Sequence, residues 1–142
     1  AKTCDEKFLQ FTILSIIVNI MKRGGDILKN FFGSIFINRD ELSEAGIHYP
    51  IKVEYYKITD EEKRENKSKP IYGIQIIKTE YRDKIGVEQN KIEHLTNDEK
   101  EITRMLGLVK ENEVTPVGLE DVIIEIKKLQ ALAKNKKLSY NT

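Results

Sequence analysis

A chain of 142 residues, 39% hydrophobic and 33% charged, is the size of one domain and can bury a single core. Lysine and arginine total 24 against 23 aspartates and glutamates, a net charge of +1, so no global field draws it to nucleic acid or anionic lipid. The one cysteine, Cys4, excludes an internal disulfide and a thiolate zinc cage and suits a reducing, cytoplasmic compartment.

The most hydrophobic stretch is FLQFTILSIIVNIM, residues 8–21. It falls short of the roughly 20 apolar residues a membrane span needs. Asp5 and Glu6 stand in front of it and no small-residue cleavage site follows, which argues against a secretory signal. Thr12, Ser15, Asn19 and Lys22 draw a thin polar stripe at helical spacing, so the segment reads as a largely buried amphipathic helix. A second reading lays it on a membrane surface. Gly24-Gly25 ends it, and Asp26 can cap a second helix. Ile27, Leu28, Phe31, Phe32, Ile35 and Phe36 recur in a helical rhythm, although SIFIN at the end is β-branched enough for a strand. Residues 39–46 form a polar connector.

From Pro50 the period changes to two. Ile51, Val53 and Tyr55 alternate with Lys52, Glu54 and Tyr56, the pattern of a half-buried strand. TDEEKRENKSKP, residues 59–70, has no apolar member and reads as a solvated loop. A second strand puts Tyr72, Ile74 and Ile76 on one face. Arg82-Asp83-Lys84 then turns the chain into a third strand at residues 85–95. Gly73 and Gly86 fall inside strands, where glycine signals a bulge or a close backbone approach.

Two helices follow. Thr96-Asn97-Asp98-Glu99 has the form of a capping box, and Ile102, Met105, Leu106 and Val109 make one apolar face. Thr115 and Pro116 have the N-cap and first-turn identities of a helix start. Val114 and Leu119 are spaced as a hydrophobic staple, and Leu119, Val122, Ile123, Ile126 and Leu129 continue the stripe. The second helix is not suited to reading DNA: its start would press Glu120, Asp121 and Glu125 against a polyanion. It suits an αα-hairpin that packs.

The segments VEYYKI, YGIQIIK and LTNDEKEITRMLGLVKENEVTPVGLEDVI resemble a family of small proteins of unknown function from low-GC Gram-positive bacteria. The resemblance covers roughly residues 53–126. It rests on Tyr72, Gly73, Ile74 and Ile76, then on Thr115, Pro116, Leu119, Asp121 and Val122. Gly118 departs from the larger side chain of that pattern, and the basic tail differs from its more acidic ends. The resemblance implies fold and compartment and carries over no catalytic residue.

No phosphate-binding loop is present. His48 and His94 sit in no metal-spacing motif, and His94 beside Glu93 lacks a nucleophile or third orienting group. Tyr55, Tyr56, Tyr72 and Tyr81 are interleaved with Glu54, Glu80 and Glu88, which suits core tyrosines better than a base-stacking platform. No catalytic, cofactor-binding or metal-binding residue is assigned, and no cofactor is expected. The expected fold is α+β: a three- to four-stranded antiparallel meander covered by a C-terminal αα-hairpin, with one or two N-terminal helices. Residues 1–25 would be the hydrophobic helix, 26–135 one domain, and 136–142 a basic polar tail. The expected role is a non-catalytic protein-interaction or regulatory module with an unknown protein partner, and nucleic acid is disfavoured. Homo-oligomerisation through the N-terminal helices and membrane-surface contact are the further partner expectations. Phe8, Phe11, Ile16, Ile17, Phe31, Phe32, Tyr72, Thr115, Pro116 and Leu119 are the candidate contact residues. The competing readings are a peripheral membrane protein and a small enzyme or ligand-binding domain.

Overall fold

The computed structural model describes residues 27–38 and 43–140. The expectation of a helix at residues 8–21, and with it Phe8, Phe11, Ile16 and Ile17, lies outside the described residues. Four strands follow one another as an antiparallel meander: β1 (Leu28–Ile37), β2 (Ile51–Arg64), β3 (Lys67–Tyr81) and β4 (Ile85–Thr96), in spatial order 1-2-3-4. Helix α1 (Glu99–Glu111) and helix α2 (Leu119–Tyr140) come after them, linked through a 3-10 turn at Pro116–Gly118.

Leu28–Ile37 form a strand, so the helical rhythm read over Ile27 to Phe36 is corrected and the strand alternative read for SIFIN holds over its residues in β1. β1 pairs along β2 from Leu28 opposite Thr59 to Ile37 opposite Ile51, and the register shifts between Phe31 and Gly33. Paired residues share a sheet face, so Phe31 and Phe36 point one way while Ile35 and Ile37 point the other. Apolar groups on both faces, with one extra residue at the bulge, imitate the three-and-four spacing of a helix.

The polar stretch 59–70 is also strand rather than loop. β2 and β3 pair without interruption from Ile51–Glu80 to Arg64–Lys67. The reversal takes only Glu65 and Asn66, at φ 46° and 64°. Two consecutive residues with positive φ make the two-residue hairpin turn whose twist matches the flanking strands. Hydrophobicity is silent on such a hairpin arm because solvent reaches both its faces. The Arg82-Asp83-Lys84 connection stands as read, with Tyr81 opposite Ile85.

The core lies between one sheet face and the helices. Ile51, Val53, Tyr55, Tyr72, Ile74 and Ile76 meet Ile102, Met105, Leu106, Val109, Leu119, Ile123 and Ile126 there. The Tyr55 hydroxyl crosses this layer and donates to the Val114 carbonyl at 2.9 Å. That bond anchors the interhelix link to the sheet and gives a buried phenol its partner.

The cap of α1 sits two residues later than the sequence spacing suggests. Asp98, extended at φ −91°, accepts from the Lys100 N–H. Thr96 Oγ1 accepts from the Asp98 N–H at 3.1 Å and donates to Glu101 at 2.9 Å. Glu99 turns instead to Lys57, 3.3 Å away. Thr115 occupies the predicted cap position before Pro116, but its side chain makes no capping bond. Val114 and Leu119 are both buried, as a staple requires. Helix α2 continues to Tyr140, so most of the predicted polar tail is helical; its lysines and leucine are good helix formers.

Candidate functional site

Two places in the fold concentrate features beyond simple packing. The first is a corner where β4 bulges out of register with β3 near its end. At Gly73 the β3–β4 register shifts, and the backbone of β4 comes so close that a Cβ would collide with the Ile92 carbonyl oxygen and lie 2.9 Å from Glu93 Cα. Only glycine leaves room for this approach. The displaced strand carries His94 at φ 57°, a left-handed conformation uncommon for a residue with a Cβ. From there the ring reaches over β3 to β2, with Nε2 2.7 Å from Asp60 Oδ2. Asp60 also accepts from the Glu61 N–H at 2.8 Å.

This geometry sets the protonation of the pair. Hydrogen bonding to Asp60 holds the His94 imidazole above its ordinary pKa. The same bond, joined by that from Glu61, holds the Asp60 carboxyl below the usual range. The partner of His94 is therefore Asp60. Glu93, its neighbour in sequence, pairs with Lys91 at 3.0 Å. Alongside, Asn97 donates to Glu62 at 3.1 Å and to the Pro70 carbonyl at 3.0 Å. An open cleft of about 700 Å³ follows the hairpin arm, lined by Glu62, Arg64, Glu65, Lys67, Lys69 and Asn97. What the corner shows is the His94–Asp60 contact itself. It works as a strut joining β4 to β2 across β3.

The second place is the sheet face turned away from α1 and α2. Three rows cross it from β1 to β4. They are Phe36, Lys52, Thr79 and Val87; Ser34, Glu54, Ile77 and Gln89; and Phe31, Tyr56, Gln75 and Lys91. Ile58 lies beside the last row. At the rim Phe31 is 59% exposed, Phe36 56%, Ile85 45% and Val87 48%. At the centre Ile58 and Ile77 are 3% exposed and Glu54 is also buried. Phe31 packs edge-on against Tyr56 with ring centroids 5.6 Å apart. The Tyr56 hydroxyl donates to Glu54 at 2.6 Å. Burial first, then this bond to a carboxylate, push the Tyr56 phenol well above its ordinary pKa.

Of the sequence-predicted contact residues, Phe31 is on this outer face and Phe32 sits at the β1 bulge, partly exposed. Tyr72, Pro116 and Leu119 are buried on the helix side, and Thr115 is half-buried beside them. The structure thus places Phe31 on one side of the sheet and Tyr72, Thr115, Pro116 and Leu119 on the other. Phe36, Ile85 and Val87 were not singled out from sequence. Their signal was present in the alternation of residues 34–37 and 85–89, but only the strand register shows that the two edges share a face.

These observations define a four-stranded antiparallel meander with a helical hairpin on one face and an apolar-rimmed second face. The model of a family of unknown function, DUF6514, matches residues 35–128, and the chain belongs to that family. The match begins within β1 and ends within α2, so it takes in the His94 corner and the outer face except for the part of β1 before Ile35, Phe31 included. No curated protein and no solved structure matches the chain.

Proposed function

We propose that this protein is a small non-catalytic interaction or regulatory module whose contact surface is the outer sheet face. One observation carries the reading: four large apolar side chains, Phe31, Phe36, Ile85 and Val87, stand largely exposed on the same side of one sheet. A soluble domain that gathers exposed apolar groups on one surface, rather than scattering them, commonly uses that surface for contact. Tyr56 and Tyr81 add aromatic area to the face, and aromatic side chains are favoured at interface centres. The mixed-charge cleft beside the His94 corner offers no comparable apolar anchor.

The test is affinity capture with the full chain and with a Phe36→Ser/Val87→Ser variant, from soluble and membrane fractions alike. A stoichiometric protein bound by the native chain and lost from the variant supports the reading. Equal capture by both places the contact elsewhere. Flotation of the native chain with anionic vesicles, lost in the variant, replaces the protein partner with a lipid surface.

A further inference from the structure

We propose that the outer sheet face closes on the same face of a second copy of this chain, giving four layers in the order helix, sheet, sheet, helix. The proposal rests on the reading of that face as the contact surface and names the partner it takes. The first argument is size. Strands lie about 4.8 Å apart, and same-face residues follow one another about every 6.8 Å along a strand. Four strands with three complete rows, and partial rows at either end, therefore present about 500 Å² per copy. Two such faces bury about 1,000 Å² before side-chain relief is counted, the scale at which a specific contact begins. A pair of this size forms reversibly and is smaller than an obligate dimer.

The second argument is shape. A two-fold axis makes one patch serve both partners. With that axis along the strands, β1 of each copy lies over β4 of the other. Phe36 then meets the partner's Val87, because the two end the same row. The bulky rings of one margin fall on the slimmer side chains of the other, the alternation of large and small that lets two layers interlock. An axis across the strands would instead stack β1 on β1, ring against ring, and hold the β4 margins apart. Sheets of equal twist meet in this way in aligned sandwiches, about 30° from parallel.

The third argument is charge. The charged members of the three complete rows are Lys52, Glu54 and Lys91. With β1 over β4, Lys52 lies over the partner's Thr79 and Lys91 over the partner's Phe31. No lysine faces a lysine, and the second contact sets a cation on an aromatic ring. Glu54 is already buried and accepts from the Tyr56 hydroxyl within the chain, so closing the face desolvates little new charge. The face therefore matches itself in size, shape and charge, a condition that a surface for an unrelated partner has no need to meet.

Sedimentation equilibrium of the full chain should show a mass that rises with concentration from one copy and levels at two. Phe36→Lys and Val87→Glu alter exposed positions outside the core. Each should weaken the pair at least about tenfold by bringing an unpaired charge into the contact. An equal mixture of the two variants should recover it, because the introduced lysine then faces the introduced glutamate. The native chain offers a check that needs no substitution. Within one copy Phe36 and Val87 lie three strand spacings apart, about 14 Å. A nuclear Overhauser effect between the Phe36 ring and the Val87 methyls, filtered for labelled against unlabelled chains, therefore arises only across the pair. A chain that stays single at every concentration overturns the proposal. So does a pair that lacks this effect, that neither substitution weakens, or that the mixture fails to recover. A chain that stays single while Phe36→Ser/Val87→Ser loses a captured protein sinks this inference and leaves the proposed function standing. A pair and a capture both indifferent to the face sink both.

Discussion

His94 shows how much one residue's geometry can fix. Its side chain is 55% exposed, yet the backbone accepts φ 57° and the ring is aimed at Asp60. Because the imidazole pKa is raised and the carboxyl pKa lowered, the charged pair is complete between those two values. On the histidine side, the contribution to stability is full below the unfolded pKa of about 6.5. It is lost as pH rises through the higher folded value. On the aspartate side, the contribution is present above the unfolded carboxyl pKa and lost as pH falls through the depressed folded one. Following the His94 ring protons by NMR across this range should therefore give a midpoint above about 6.5. In an Asp60→Asn variant the midpoint should fall back toward that value. A midpoint indifferent to the substitution would mean that the 2.7 Å contact does not hold the proton.

At the scale of elements, the close passage of β4 over β3 depends on a missing side chain. Adding a methyl group in Gly73→Ala sets a Cβ against the Ile92 carbonyl and Glu93 Cα, both backbone groups that cannot rotate away. The expected cost is about 1–3 kcal/mol, the usual range for overpacking, read as a lower denaturant midpoint at unchanged m-value. The His94 midpoint should drop in the same variant, because the strut is built on that approach. A fully stable Gly73→Ala protein with its His94 titration intact would refute this account.

Elements differed in how far they could be read from sequence. The strand faces of Ile51, Val53 and Tyr55 and of Tyr72, Ile74 and Ile76 were legible, as was the α1 stripe, because one-sided burial writes its period into the sequence. β1 was not, because apolar groups on both its faces and a bulge at Phe32 blur the period. The 59–70 arm was hidden for the opposite reason: solvated on both sides, it has no apolar period, and its turn lies in the positive φ of Glu65 and Asn66. The site was legible only in fragments. Gly73 was marked as a close approach and His94 as a titratable group, but their meeting with Asp60 depends on a register that local spacing does not encode.

For the whole molecule, the question is whether it has one hydrophobic layer or two. Ile74 and Ile77 lie three residues apart in β3 and face opposite ways, at 0% and 3% exposure. Ile74 belongs to the layer beneath α1 and α2. Its truncation in Ile74→Ala should cost about 2–5 kcal/mol, the range for a buried isoleucine reduced to alanine. Ile77 tests the other layer in identical chemistry. If the outer face is covered, Ile77→Ala in the full chain opens a cavity of the same kind and costs a comparable amount. If only neighbouring side chains on the sheet shield Ile77, they can settle into the space and water can enter it, so the cost should fall below that at Ile74, since less of a cavity is left. Denaturant unfolding of the two variants, compared at equal m-value, separates these cases. Near-equal losses describe a sheet buried on both faces. A large loss at Ile74 beside a small one at Ile77 describes a two-layer domain with its second face free to dock.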